Sequence, residues 1–401
     1  MLRIARTKCL VAAVAALVSG SALAAAGDLD CTFGAGGKAQ FDFGNGPAEA
    51  FNDMVLEPDG KLVMVGSGGG SLRLTRLTAG GDLDPTFGNN GTIVHTLPNL
   101  GYTGYLARDS QGRFLVGGRI DIAGDSEALV MRFTSTGQLD ATFGGGDGWV
   151  STDFTAATAS AGNDLVTGIA VDAADRPVIV GVADANGNIF NPSNADFAIA
   201  RFTTAGTLDP TFSGDGLATA SSAGTATDDT PRAVAIGTDG VITVVGDYWT
   251  LPMNQSPRST LIARLKPDGT PDTAFDGDGV LQVDLTQSGA DDFAFDIGFA
   301  ADGDLFVLAQ GAGDDAIVGR INLTGTFDTS WGGDGAITRS FLGGQDVVEE
   351  LLVQADGKVI VTGWPIVGGT FHFATMRFTT GGTLDRSEER RVGKECLRLC
   401  R

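Results

Sequence analysis

The chain has 401 residues, 27 Lys and Arg against 49 Asp and Glu, a formal net charge of −22, two His and four Cys. A surface this acidic repels phosphate backbones and anionic lipid heads, which excludes nucleic acid and membrane surfaces as partners. A hydrophobic fraction of 42% lets a domain of this size be held by its core alone.

The first predicted element is a secretory signal over residues 1–24. Arg3, Arg6 and Lys8 precede an apolar run from Cys9 to Val18, and Ala22-Leu23-Ala24 gives an A-x-A-like cleavage site. The run is too short to span a bilayer. The expected location is therefore secreted or periplasmic. Cys9 leaves with the signal and Cys396 and Cys400 fall in the last segment, so Cys31 remains alone and makes no internal disulfide.

From residue 27 onward one motif recurs: DCTFG at Asp30, DPTFG at Asp84, DATFG at Asp140, DPTFS at Asp209, DTAFD at Asp272 and DTSWG at Asp328, with Asp385 next in phase. Self-similarity at such a period marks stacked supersecondary units. The predicted repeats are 30–83, 84–139, 140–208, 209–271, 272–327 and 328–385. In the third, strand-like runs fall at 149–154, 165–171, 177–181 and 197–203, punctuated by Gly, Asp and Asn. The second and third runs are joined by short turns at Pro58, Ser110, Ala174, Thr238, Ala301 and Ala355, mostly Asp-Gly, which join antiparallel strands. A parallel β-helix has no such hairpins. The predicted fold is all-β, a propeller of six four-stranded antiparallel blades over 27–385, with the strand after each motif opening a blade.

The motif, its GDG-like turn, the DGK hairpin and the RF-T-x-x-G-x-LD ending resemble the delta-60 repeat family over nearly the whole chain between signal and tail. The resemblance implies a secreted bacterial propeller-like protein and carries no catalytic residues. The fifth copy departs at Ala274 and Asp276, the sixth at Trp331.

Two repeated chemistries read as structural. Arg76, Arg132, Arg201, Arg264, Arg320 and Arg377 each stand eight residues before Asp84, Asp140, Asp209, Asp272, Asp328 and Asp385. In RFTTAGTLD the loop 204–206 sets Phe202 against Leu208 and Arg201 against Asp209, so the pair fixes register. Phe33, Phe87, Phe143, Phe212, Phe275 and Trp331 share one position and read as wedges between blades.

No cofactor is assigned. Calcium is a minor expectation at the acidic turns holding Asp147, Asp215, Asp278 and Asp334, but the first two copies lack the carboxylate. His95 and His372 lie far apart, without metal-ligand spacing, and no nucleophile elbow or phosphate loop is present. Nothing singles out a catalytic pair among the many carboxylates, so nothing commits the chain to a reaction.

Length variation concentrates on one face, in the loops 183–195 and 247–259. Candidate ligand residues there are Asn186, Phe190, Asn194, Tyr248 and Trp249, with Trp364 after the third strand of the sixth unit. Aromatics beside Asn and Gln suit a carbohydrate, peptide or protein ligand. The main expectation is a monomeric binding module. The alternatives are a polysaccharide lyase or hydrolase, marked by carboxylates or His on the central channel, and a structural array within a longer cell-surface protein.

Residues 386–401, RSEERRVGKECLRLCR, break every pattern above. They resemble translated sequencing-adapter sequence and are expected to be a non-native tail, with the natural chain and its blade number continuing differently.

Overall fold

The computed structural model describes residues 30, 32–40, 49–68, 71–122, 124–154, 163–184, 195–222, 227–250, 257–311, 313–343 and 345–385. The predicted signal, Cys31 and the tail lie outside them.

Six blades follow one another along the chain, the second and third joined by one parallel bridge between Ser126 and Asn163. Blade 1 is β1 (Glu49–Leu56), β2 (Leu62–Gly68), β3 (Ser71–Leu77) and β4 (Thr92–His95). Blade 2 is β5 (Leu100–Arg108), β6 (Phe114–Ile122), β7 (Asp125–Phe133) and β8 (Trp149–Thr152). Blade 3 is β9 (Asn163–Val171), β10 (Pro177–Asp184), β11 (Asp196–Arg201) and β12 (Leu217–Ala220). Blade 4 is β13 (Thr227–Ile236), β14 (Ile242–Thr250), β15 (Ser259–Leu265) and β16 (Val280–Val283). Blade 5 is β17 (Asp292–Phe299), β18 (Leu305–Gly311), β19 (Ala316–Ile321) and β20 (Ala336–Arg339). Blade 6 is β21 (Val348–Val353), β22 (Val359–Gly363) and β25 (Ala374–Phe378), with the hairpin β23 (Ile366–Val367) and β24 (Thr370–Phe371) between its last two strands. Five blades thus have four antiparallel strands and the sixth has three among the described residues. The fold is a six-bladed β-propeller.

The sheets are offset from the sequence repeats. The strand after each motif does not open a blade but closes the previous one: β4, after Asp84, pairs with β3, and β8, after Asp140, pairs with β7. The reason is local. Leu77 bridges Leu83, and Gly91 closes back on Phe87, so the chain turns twice within the motif and returns beside the strand it left.

The first strands β1, β5, β9, β13, β17 and β21 lie next to one another and form the inner ring. Each has a bulge, at Asn52, Gly104, Thr167, Arg232, Phe295 and Glu349, where the pairing slips by one residue, and β5 slips a second time between Leu100 and Thr103. A bulge adds twist where a strand must curve past the axis. Its consequence for function is that it re-aims the next side chain.

Apolar cores sit between blades rather than within one. Val63, Val65, Leu72 and Leu74 of blade 1 meet Phe114, Val116, Leu129 and Met131 of blade 2, and four further junctions repeat the pattern. Alternation puts Met54 and Leu56 on the other side of β1 from Val55, and there Phe51, Met54 and Leu56 are 54, 54 and 68% exposed. Leu352 of blade 6 is exposed as well, so the junction of blades 6 and 1 lacks the packing of the other five among the described residues.

Connections between the second and third strands and between successive blades emerge on one face, called upper here. The Asp-Gly turns and the motifs share the lower face. The turn Gly60 has φ +83°, which explains glycine in these hairpins. No helix among the described residues is long and apolar enough to cross a membrane.

Candidate active site at the axial mouth

The lower face is occupied by a structural unit built from the motif. Arg76 Nε donates to Asp84 Oδ2 at 2.9 Å, and the corresponding pairs are Arg132–Asp140 at 2.8 Å, Arg201–Asp209 at 2.9 Å, Arg264–Asp272 at 3.5 Å, Arg320–Asp328 at 3.0 Å and Arg377–Asp385 at 2.9 Å. The register is the one read from the sequence: Phe202 bridges Leu208, and Asp209 N–H donates to Arg201 O at 2.9 Å. The other Asp84 oxygen accepts from Thr86 N–H and Thr86 Oγ1, and Arg76 Nη2 donates to that Thr oxygen. Arg76 Nη1 reaches Ser135 O in the next blade at 2.8 Å, and its guanidinium lies 4.6 Å from the Phe87 ring centre. The fifth motif residue docks on the same hairpin, Gly88 N–H to Thr136 O at 3.0 Å. Each D-x-T-F-G therefore links its blade to the following one.

Phe87, Phe143, Phe212, Phe275 and Trp331 are fully buried in these junctions. Phe33 is half-buried: its motif docks on blade 1, Gly34 N–H to Gly80 O at 2.7 Å. Asp215, Asp278 and Asp334 each accept the backbone N–H two residues on, at 3.0, 2.9 and 3.2 Å, and stand as turn caps. Among the described residues no group of three His, Cys, Asp or Glu is arranged to hold a metal.

Three of the six candidate ligand residues can be placed. Asn186, Phe190 and Asn194 lie outside the described residues. Tyr248 is half-buried and lies across from Ser259, its strand partner in β15. Trp249 donates Nε1–H to the buried Asp228 at 3.2 Å, and the Arg258 guanidinium covers one face of its ring at 3.4 Å. That face of the indole is not an open platform. Trp364 is 47% exposed and lies near Glu349, where its indole N–H offsets part of the rise that burial gives that carboxyl.

The bulges create what surrounds it. The residues following them are Asp53, Tyr105, Gly168, Ala233, Asp296 and Glu350, one per blade, each seven residues before the hairpin-turn position. Those of blades 5, 6 and 1 form an arc of acids. Asp53 Oδ2 accepts Leu106 N–H from blade 2 at 2.7 Å, and Asp296 Oδ2 accepts Leu351 N–H from blade 6 at 2.7 Å. Their other oxygens take Met54 N–H and Ile297 N–H. The carboxyls of Asp296 and Glu350 stand against each other, so each shifts the titration of the other. Burial, then the Glu350 charge, holds Asp296 well above the usual carboxylate range. Burial also raises Glu350 and Glu349, and it pushes Asp53 up to about 7, with the Glu350 charge adding to the rise. Glu349 and Glu350 nevertheless remain exposed at the surface of the mouth. The arrangement supplies a proton donor, a second carboxyl poised near neutrality and an exposed aromatic face in one place.

Sequence reasoning missed these acids. They were legible only as an acid seven residues before the turn in three of six units. A second missed set is Asp164, Asp229, Asp292 and Asp346, all fully buried and each eleven residues before the turn. They accept N–H from Phe154, Ser222, Leu285 and Phe341 at 2.7, 2.6, 2.7 and 2.7 Å, tying each blade-to-blade connection to the next inner strand. Burial pushes Asp164 up to about 8, and Asp229 and Asp292 to about 6.

Five segments, 57–87, 112–143, 179–212, 237–275 and 354–387, match the family model described as a beta-propeller domain of unknown function (DUF5122). The first four end on the buried motif aromatic. No curated protein matches. A solved protein from Lactobacillus plantarum is similar at 14% identity and TM-score 0.41, covering 82% of this chain and 85% of that one. The polysaccharide lyase Uly1 is similar at 10% identity and TM-score 0.47, over 81% and 76%. Prolyl oligopeptidase B from Galerina marginata is similar at 12% identity and TM-score 0.46, over 86% of this chain and 44% of that one.

Proposed function

We propose that this propeller is an exported enzyme that cleaves a polysaccharide by general acid–base chemistry at the upper mouth of its axis. One observation carries the reading: Asp296, held well above the usual carboxylate range, stands against Glu350, beside exposed Glu349 and Trp364. Trp364 stacks on a sugar ring, since a flat apolar face with a polar edge suits that surface. The pair gives its proton to the glycosidic oxygen as the bond to carbon breaks. Asp53, poised near 7, takes the proton from the attacking water.

The test incubates the protein with a panel of neutral and acidic polysaccharides and follows new reducing ends, together with unsaturated products that would mark elimination. Glu350→Gln is expected to lower turnover roughly 100-fold or more, the scale of a lost general acid, and to leave affinity in place. Turnover by this variant at the rate of the unaltered protein overturns the reading.

A second reading, a binding module without turnover, is supported by the backbone bonds at Asp53 and Asp296, which give both acids a structural task. Phe371 and Phe373, like Trp364, are exposed aromatics of blade 6. Saturable binding of a panel member with no product decides for it.

A further inference from the structure

We propose that Arg232 is the subsite for a sugar carboxylate, so that the polysaccharide taken at this mouth contains uronate. The inference rests on the polysaccharide reading above and adds the substrate class.

Arg232 is the bulge residue of blade 4, the place Glu349 occupies in blade 6. The twelve bulge and post-bulge residues of the inner ring include one cation, Arg232, and it is beside the blade that supplies Asp296. Its side chain is 40% exposed. Nε donates to Asp247 Oδ1 at 2.8 Å, and Asp247 is buried. That bond anchors the guanidinium by its inner edge. Nη1 and Nη2 make no hydrogen bond among the described residues. A planar fork held at one edge and open at the other matches a carboxylate through two parallel hydrogen bonds.

Asp247 does not depend on Arg232 alone. Arg258 Nη1 stands 3.6 Å from its other oxygen, and Arg258 is itself fixed between the Trp249 and Phe293 rings, 3.4 and 4.8 Å from their centres. With one carboxylate set between two guanidiniums, the open fork keeps positive charge. The chain as a whole repels a polyanion, but at physiological salt that repulsion is screened beyond about 8 Å and the contact decides.

The experiment measures affinity calorimetrically for polygalacturonate, polymannuronate and glucuronan fragments, for the methyl esters of each, and for neutral galactan and glucan. The unaltered protein, Arg232→Gln and Arg232→Lys are compared. The expected result is that a free uronate polymer binds and its ester binds roughly tenfold or more weakly. Arg232→Gln should bring the free acid down to the level of the ester and leave the ester unchanged. Arg232→Lys, which keeps the charge and loses the fork, should fall between. Equal binding of acid and ester, or of a neutral polymer alone, overturns the assignment of Arg232 and leaves the polysaccharide reading standing. Binding of no polymer overturns both.

Discussion

The motif unit can be tested where it is broken. The fifth copy has Ala274 in place of Thr, and Arg264 shows the effect: its Nε and Nη1 are buried without partners, Nη2 stands 3.5 Å from Asp272, and its guanidinium is 5.2 Å from the Phe275 ring centre. In the three copies that combine Thr and Phe with the Arg, the ion pair is 2.8–2.9 Å and the ring distance 4.6–4.7 Å. There the Thr hydroxyl donates to the Asp at 2.7 Å and accepts from Arg Nη2 at 2.9–3.1 Å. Ala274→Thr adds two hydrogen bonds to charged groups, each worth about 1.5–3 kcal/mol when buried. Position 274 is exposed, so side-chain ordering and solvent offset most of that, leaving about 1 kcal/mol. In a domain this large that is a rise of roughly 1–2 °C in melting temperature. Ala274→Val has the same branching without the hydroxyl and is the control. Differential scanning calorimetry should rank Thr above Val and Val near Ala, with Thr211→Ala losing a similar amount. If Thr and Val behave alike, the hydroxyl is not what completes the unit.

The fifth motif position is left-handed in every copy, and Ser213 and Asp276 occupy it at φ 52° and 51°. Ser213→Gly and Asp276→Gly should each stabilise by about 0.5–1 kcal/mol, read as a shift in the urea midpoint. The buried acids fix the pH dependence. Asp53, Asp164, Asp229 and Asp292 are all raised, to about 7, 8, 6 and 6, so the folded chain holds more protons than the unfolded one between about pH 4 and 8. Stability from these groups is complete at the acid end and lost as pH rises through 6–8, so the melting temperature should be higher at pH 5 than at pH 8. Asp84, lowered to about 2, works the other way only below about pH 4. Asp164→Asn should flatten the profile, and a melting temperature that rises with pH would contradict the burial argument.

Much of the lower face was legible in the sequence because its parts are contiguous. Arg201, its loop and Asp209 lie within nine residues, so register follows from counting. The phase of the blade was not legible, since a repeat has no beginning until a structure shows which strand closes which sheet. Arg232, Asp296 and Glu350 escaped notice for a related reason. Each is re-aimed by a bulge, and a bulge shifts the alternation that sequence reading relies on. The buried Asp164, Asp229, Asp292 and Asp346 stand in four unlike local sequences and share only their distance from a turn. Trp364 was visible as an aromatic in a variable region, but its partner Glu349 comes from another strand.

The offset between repeat and sheet bears on how the ring comes apart. A repeat from one motif Asp to the next contributes its outer strand to one blade and the rest to its neighbour. No repeat is therefore a foldable piece, and losing one blade strips the motif, the aromatic and the arginine contact from the next. A stack of independent units would melt in steps from its weakest end. Interlocked in this way, blades 1 to 5 should melt as one cooperative body, and fraying should be confined to the loosely packed junction of blades 6 and 1.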